Sequence, residues 1–230
     1  MLEVCFCVYK RASRIPELMK QFKEQTHQDF RVNIWNNSRN EIDCRNFSNK
    51  RVRIFGGKGN IGSQARFRLV PETSGNPIIF IDDDLSIEKD FIEYYYKKYL
   101  EYGQRAILGW FSKTWNKDEY HNPKGFLLPE DSEVDYLGTG GMILNRLIIE
   151  GEKSLQNIPE QYAKVEDLYL SAMARKNGIE LYSIKPKCKI ICDGLDQHKG
   201  LKDYKQEAFF SLRKEGWKLL YENIDSGTSK

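Results

Sequence analysis

The chain has 230 residues, of which 40% are apolar and 13% aromatic. That length fits one domain, and 12 Phe, 13 Tyr and 4 Trp can build a sizeable core, which excludes a mainly disordered or collagen-like chain. Lys and Arg exceed Asp and Glu by 36 − 33 = 3, too close to balance for a field-driven binder of nucleic acid or anionic membrane.

The chain opens on Leu2 to Val8, a β-type run. Ile15, Leu18, Met19 and Phe22 then recur at helical spacing and predict a helix over 15–26, with Ser13 as its N-cap and Pro16 in its first turn. Phe30 to Trp35 reads as a second strand ending in the turn cluster Asn36-Asn37-Ser38, and Arg51 to Phe55 as a third. A glycine-rich loop follows over 56–62, then a short helix over 63–71. Pro77 to Ile81 is a buried strand that runs directly into Asp82-Asp83-Asp84. A helix rich in Tyr and Lys is predicted over 87–102, its lysines snorkelling from an amphipathic face.

The second half is less regular. Strands are predicted over 106–111, 180–184 and 189–192, and loops over 115–129 and 194–200. Gly138-Thr139-Gly140-Gly141 falls between them. Glu166 to Gly178 forms a helix closed by Asn177-Gly178, and a last helix spans 205–223. The alternation of strand and helix predicts an α/β fold with a mixed, mostly parallel central sheet flanked by helices. The expected organisation is one domain over 1–224, with halves 1–104 and 105–224, and a tail over 225–230.

The odd number of cysteines (Cys5, Cys7, Cys44, Cys188 and Cys192) argues for structural thiols in a reducing compartment. Cys188, Cys192 and His198 lack the spacing of a zinc site. No run of 18 apolar residues exists and Leu2 to Val8 already reads as a strand, so no transmembrane segment or signal peptide is expected and the location expected is cytoplasmic.

The triple acid carries the most chemical information. Ligands of α/β sheets bind beyond the carboxyl ends of the strands. Three adjacent carboxylates there repel one another until a cation neutralises them. Hard oxygen donors suit Mg²⁺ or Mn²⁺, which can hold a diphosphate and stabilise it as a leaving group. The competing reading is that the acids cap the next helix. Glu166-Asp167 also opens a helix and suits its dipole, so the same two readings apply there.

An acidic Asp-x-Asp motif on an apolar strand resembles the nucleotide-sugar glycosyltransferases of the GT-A type. Other stretches match in order over most of the chain. Val8-Tyr9-Lys10-Arg11, Ile34-Trp35-Asn36-Asn37, Ala65-Arg66-Phe67-Arg68-Leu69 and Gly138-Thr139-Gly140-Gly141-Met142 resemble segments of exostosin-like transferases. Val165-Glu166-Asp167-Leu168-Tyr169-Leu170 resembles the Glu-Asp motif of glycosyltransferase family two. The resemblance implies a GT-A, Rossmann-like nucleotide-diphospho-sugar transferase fold. It implies a metal-dependent transfer, of hexosyl type, from a nucleotide sugar, a UDP-sugar first of all, to a hydroxyl of a glycan or other acceptor.

By the same resemblance, Arg11, Asn36, Asn37, Arg68, Asp82 and Asp83 serve the nucleotide and the near side of the donor sugar. Asp84, Asp82 and His198 hold Mn²⁺ or Mg²⁺. Gly140 and Gly141 meet donor or acceptor sugar, and Trp115, read from the residues themselves as an aromatic in a polar loop, suits an acceptor sugar ring. Asp167, with Glu166 beside it, is the catalytic pair. Asp167 acts as general base in an inverting reaction on the family-two pattern, or positions the sugar in a retaining reaction on the exostosin-like one. Arg66 and Arg68 lie two apart and diverge; Arg68 is the expected nucleotide contact, while a solvated helix face also suits Arg66. Trp110, on a strand, is expected in the core, and Lys199 near a phosphate.

Two rival functions stay open. Gly57-Lys58-Gly59-Asn60-Ile61-Gly62 fits the dinucleotide fingerprint of an NAD-dependent oxidoreductase, although that fingerprint occupies the first βα turn and two strands precede it here. The domain is also compatible with a non-catalytic nucleotide-sugar-binding module.

Overall fold

In a computed structural model, which describes residues 1–38, 41–44, 50–114, 127–151, 158–191, 211–216 and 218, one seven-stranded sheet runs through both halves of the chain. Its strands in chain order are β1 (Leu2–Val8), β2 (Phe30–Asn36), β3 (Val52–Gly56), β4 (Ile78–Phe80), β6 (Ile107–Gly109), β9 (Met142–Leu144) and β10 (Leu181–Ser183). Their spatial order is β10-β6-β9-β4-β1-β2-β3. All neighbours pair parallel except β9, which is antiparallel to both β4 and β6. The expected mixed, mostly parallel sheet with flanking helices is the fold observed. Two antiparallel ribbons lie outside it: β5 (Leu85–Ile87) with β11 (Cys188–Ile190), and β7 (Ser112–Lys113) with β8 (Tyr136–Leu137).

The inner strands β1, β4, β6 and β9 are buried on both faces, as a covered parallel sheet requires. Along β1, Leu2, Val4, Phe6 and Val8 face one side and Cys5 the other, the period of two that a strand imposes. The first side is covered by helices α1 (Ile15–Lys23) and α2 (Phe91–Glu101), which bury Ile15, Leu18, Met19 and Phe22, and Phe91, Ile92, Tyr95 and Tyr99. The second side is covered by a 3-10 helix (Ser63–Leu69) and by α4 (Glu166–Lys176); a shorter helix, α3 (Arg146–Gly151), follows β9. Both acid motifs sit where an element ends against this core: Asp82-Asp83-Asp84 after β4, and Glu166-Asp167 in the first turn of α4.

Several element boundaries depart from the sequence expectation. Ser13 does not cap α1: Ala12–Arg14 form a 3-10 turn, Arg14 precedes the helix, and no side chain closes its first turn. Helix α1 ends at Lys23 rather than at Thr26. Residues Leu85–Ile87, read partly as helix, pair as a strand with β11, and α2 begins only at Phe91. The helical spacing there was real but began one turn later. Of the helix expected over 205–223, residues 211–216 are described and are helical. Cys5 and Cys188 are buried free thiols, and Cys7 and Cys44 are free and half-buried.

Candidate active site

Four segments meet at the carboxyl edge because the parallel strands all end there. In register, Val8 lies beside Asn36, Asn36 beside Gly56, and Cys5 beside Phe80. Tyr9 to Arg11, Asn36-Asn37, the glycine-rich loop and the triple acid therefore share one rim. Asn37 is committed to the glycine loop: its amide donates to Gly62 O (2.9 Å) and its carbonyl accepts from the Ile61 amide (3.2 Å). Asn36 accepts from the Ser38 amide at 2.8 Å.

The acids of the rim are neutralised by two arginines. Arg11 bonds Asp83 and lies 3.0 Å from Asp84 Oδ2, and the Tyr9 amide also donates to Asp83. Burial pushes the Asp83 carboxyl up to about 7 against the pull of Arg11, with the charges of Asp84 and Asp82 adding to it. Arg66, itself buried, pairs with Asp82 at 2.7 Å and reaches Glu166 Oε1 at 3.5 Å, so one guanidinium joins the two acid motifs. It also donates to the carbonyls of Ser63 and Ile81. The structure corrects the solvated face expected for Arg66, which is buried in the site, while Arg68, the expected nucleotide contact, is exposed. Spacing showed that they diverge; only packing decided which one faces inward.

The Glu166-Asp167 pair splits into two environments. Glu166 accepts from the hydroxyls of Ser63 and Thr139 (3.3 Å for Thr139). Burial raises its carboxyl to about 7 and the charge of Asp167 adds to this, opposed by Arg66 and the Ser63 bond. Asp167 accepts from the Tyr136 hydroxyl (2.5 Å) and Arg213 (2.9 Å) on Oδ2, and from the Leu168 amide (2.8 Å) on Oδ1. Burial alone would lift its carboxyl, but Arg213 and these bonds outweigh it and hold Asp167 below the ordinary carboxylate range. Sequence reasoning missed Tyr136 and Arg213. Neither belongs to a motif, and their only signal is an unpaired buried acid that needs a counter-charge.

A cavity of about 270 Å³ opens between the two motifs, lined by Asp82, Asp167, Arg213, Tyr136, Trp110 and Gly140 among others. Antiparallel β9 makes this possible. It enters the sheet at the carboxyl end of β4, with Met142 beside Phe80, and so lays the preceding glycines against the triple acid. A Cβ on Gly140 would collide with Asp82 Oδ2, and Gly141 has φ +100°. The Trp110 indole donates to Gly140 O at 2.6 Å, so this tryptophan belongs both to the core, as expected, and to the cavity wall. Trp115, His198 and Lys199 lie outside the described residues.

The donor set bears on the expected metal. Among the described residues, no group of three or more His, Cys, Asp or Glu is arranged to enclose an ion. Asp82 and Asp84 are nevertheless two hard oxygen donors, and the Asp82 side chain is 40% exposed. Burial, then the Asp82 charge, raises the Asp84 carboxyl. Mg²⁺-type ions often take only one or two carboxylates and complete their shell with phosphate and water. The residues fit an ion of that kind, shared with a phosphate ligand, and not a closed protein cage.

A carboxyl-edge acid triplet on this sheet, facing a second acid pair across a glycine-lined cavity, defines a GT-A type nucleotide-sugar glycosyltransferase fold. The family comparison agrees: residues 3–153 match the glycosyl transferase family 2 model, and the chain belongs to that family. Solved structures of S. aureus TarS are similar to it. The TarS 1-349 complex with UDP superposes with a TM-score of 0.59 at 16% identity, covering 81% of this chain and 58% of that one. The complex with UDP-GlcNAc gives 0.59 at 17%, covering 81% and 56%, and a further TarS structure gives 0.62 at 13%, covering 94% and 42%. The chain thus spans about half the length of these TarS chains. No curated protein sequence matches it. Among the described residues, no helix is long and apolar enough to cross a membrane.

Proposed function

We propose that this domain transfers a sugar from a nucleotide sugar, a UDP-sugar, to an acceptor hydroxyl, with a divalent ion at the triple acid. The observation that carries the reading is that Asp82 and Asp167, 85 positions apart in sequence (167 − 82), line one cavity. The TarS complexes with UDP and UDP-GlcNAc support the choice of donor class.

Asp82 and Asp84 hold the ion, and Arg11 and Arg66 keep their carboxylates in place. Bound there, Mn²⁺ or Mg²⁺ supplies charge stabilisation to a departing diphosphate. Trp110 and Gly140 border the space where a sugar ring fits. Asp167 takes the proton of the acceptor hydroxyl as its oxygen bonds to the anomeric carbon. The bond from that carbon to the diphosphate oxygen breaks, and UDP leaves with the electron pair, inverting the configuration. Asp167 suits this role by position: it lines the cavity, and Tyr136 and Arg213 hold its carboxylate in one orientation; Arg213 keeps it ionised at the cost of some basicity. The Asn36-Asn37 pair favours a nucleotide-side role for the second strand end, through the rim it builds with the glycine loop.

The test is UDP uptake by calorimetry with and without Mn²⁺, followed by UDP release from a panel of donors with and without acceptors. Asp84→Ala is expected to abolish the metal-dependent uptake. Uptake unaffected by Mn²⁺ and by Asp84→Ala overturns the metal assignment. Metal-dependent uptake without UDP release from any donor reduces the function to nucleotide-sugar binding.

A further inference from the structure

We infer that Tyr136 and Arg213 are positioning residues for Asp167: together they anchor its Oδ2 and leave Oδ1 as the oxygen that meets the acceptor hydroxyl. The inference rests on Asp167 being the base. Tyr136 comes from β8, Arg213 from the helical residues 211–216 and Asp167 from the first turn of α4, so three separate elements converge on one carboxylate. The Tyr136 hydroxyl lies 2.5 Å from Oδ2, Arg213 lies 2.9 Å from the same oxygen, and Arg213 donates to the Tyr136 oxygen at 2.6 Å, closing a triangle. Among the described residues, Oδ1 receives only the Leu168 amide, at 2.8 Å. A carboxylate offers about four acceptor sites. Three are filled here, two of them on Oδ2, and the remaining one belongs to Oδ1. All three side chains line the same cavity.

The other charged groups facing Asp167 are Lys113 on β7 and Glu166 beside it, with Arg66 across Glu166. Lys113 is pushed down to about 8, by burial first and then by Arg213. Replacing Arg213 also removes one of the causes that lower Lys113, whereas Tyr136→Phe alters none of these charges, so Tyr136→Phe tests the triangle alone.

The experiment follows the ¹³Cγ resonance of Asp167, assigned by its loss in Asp167→Asn, across pH in the full chain. Wild type, Tyr136→Phe, Arg213→Met and Arg213→Lys are compared, with UDP release from UDP-GlcNAc in Mn²⁺ as a second readout. Tyr136→Phe and Arg213→Met are each expected to raise the Asp167 midpoint by about one pH unit, and Arg213→Lys to restore most of the shift, since a charged donor is retained. Where UDP release is measured, kcat falls at least about tenfold with donor KM unchanged. A midpoint that does not move in Tyr136→Phe, a change that keeps the ring and its packing, overturns the inference even if Arg213→Met fails to fold. Normal UDP release by Asp167→Asn overturns instead the reading of Asp167 as the base.

Discussion

Asp167 and Glu166 are adjacent in sequence, yet their proton affinities are shifted in opposite directions by their surroundings. Asp167 is held ionised by Arg213 and Tyr136, and is the base in the reaction proposed above. Replacing it with Asn is expected to keep UDP uptake and lower transfer by at least about 100-fold, measured as acceptor-dependent UDP release. Glu166 behaves differently. Its folded pKa of about 7 lies above the unfolded value of about 4.3, so its contribution to stability is fully present below the unfolded value and is lost as pH rises toward and through 7. The melting temperature should therefore fall between pH 5 and pH 8, and Glu166→Gln should remove part of that fall. Asp83, raised in the same direction, accounts for a further part. A melting temperature in Glu166→Gln that falls as steeply as in wild type would show that the Glu166 environment is not as described. Gly140→Ala forces Asp82 to turn away, and UDP uptake in Mn²⁺ is expected to weaken about tenfold, equivalent to about 1.4 kcal/mol, with little change in melting temperature.

Elements deliver these residues, and two of them matter most. Strand β9 is the antiparallel member of the sheet, and its direction lays Gly140 against Asp82 rather than at the opposite edge. The β5–β11 ribbon pins the exit of the triple acid: Leu85 pairs with Ile190, and the Ile191 amide donates to Asp84 O at 2.9 Å. Helix α1 serves stability instead. Its buried stripe of Ile15, Leu18, Met19 and Phe22 covers β1 on the face away from α4. Phe22→Ala is expected to cost about 3–5 kcal/mol in urea unfolding while leaving UDP affinity of the folded protein unchanged. A matching loss of affinity would place α1 in the site.

Asp82, Trp110, Tyr136, Asp167 and Arg213, which are far apart in sequence, all line one cavity. Binding there should register in both halves together. UDP with Mn²⁺ is expected to slow amide exchange at 80–85 and at 138–141 in parallel; protection confined to one segment would argue against a shared cavity. The first βα turn runs through Tyr9, Lys10 and Arg11 and contains no glycine, whereas the glycine-rich loop follows β3 at the sheet edge. This is the opposite of a dinucleotide-binding arrangement, and it agrees with the family found.

The α/β class, the strand that carries the triple acid and the helix that opens on Glu166-Asp167 were all legible in the amino-acid sequence. Each is written in local periodicity: apolar runs bounded by turn residues, and apolar positions three and four apart. Local pattern also separated Arg66 from Arg68. It could not say which arginine turns inward, because both neighbours on a short helix are chemically alike and only the packing of Phe67 and Leu69 against the sheet orients them. Nor could it find Tyr136 and Arg213. Their partner is 31 and 46 positions away, and a counter-charge for a buried acid is chosen by proximity in space. The residue types required at the rim follow from the chain's own order, whereas the pairing of those charges depends on where the sheet brings its edges together.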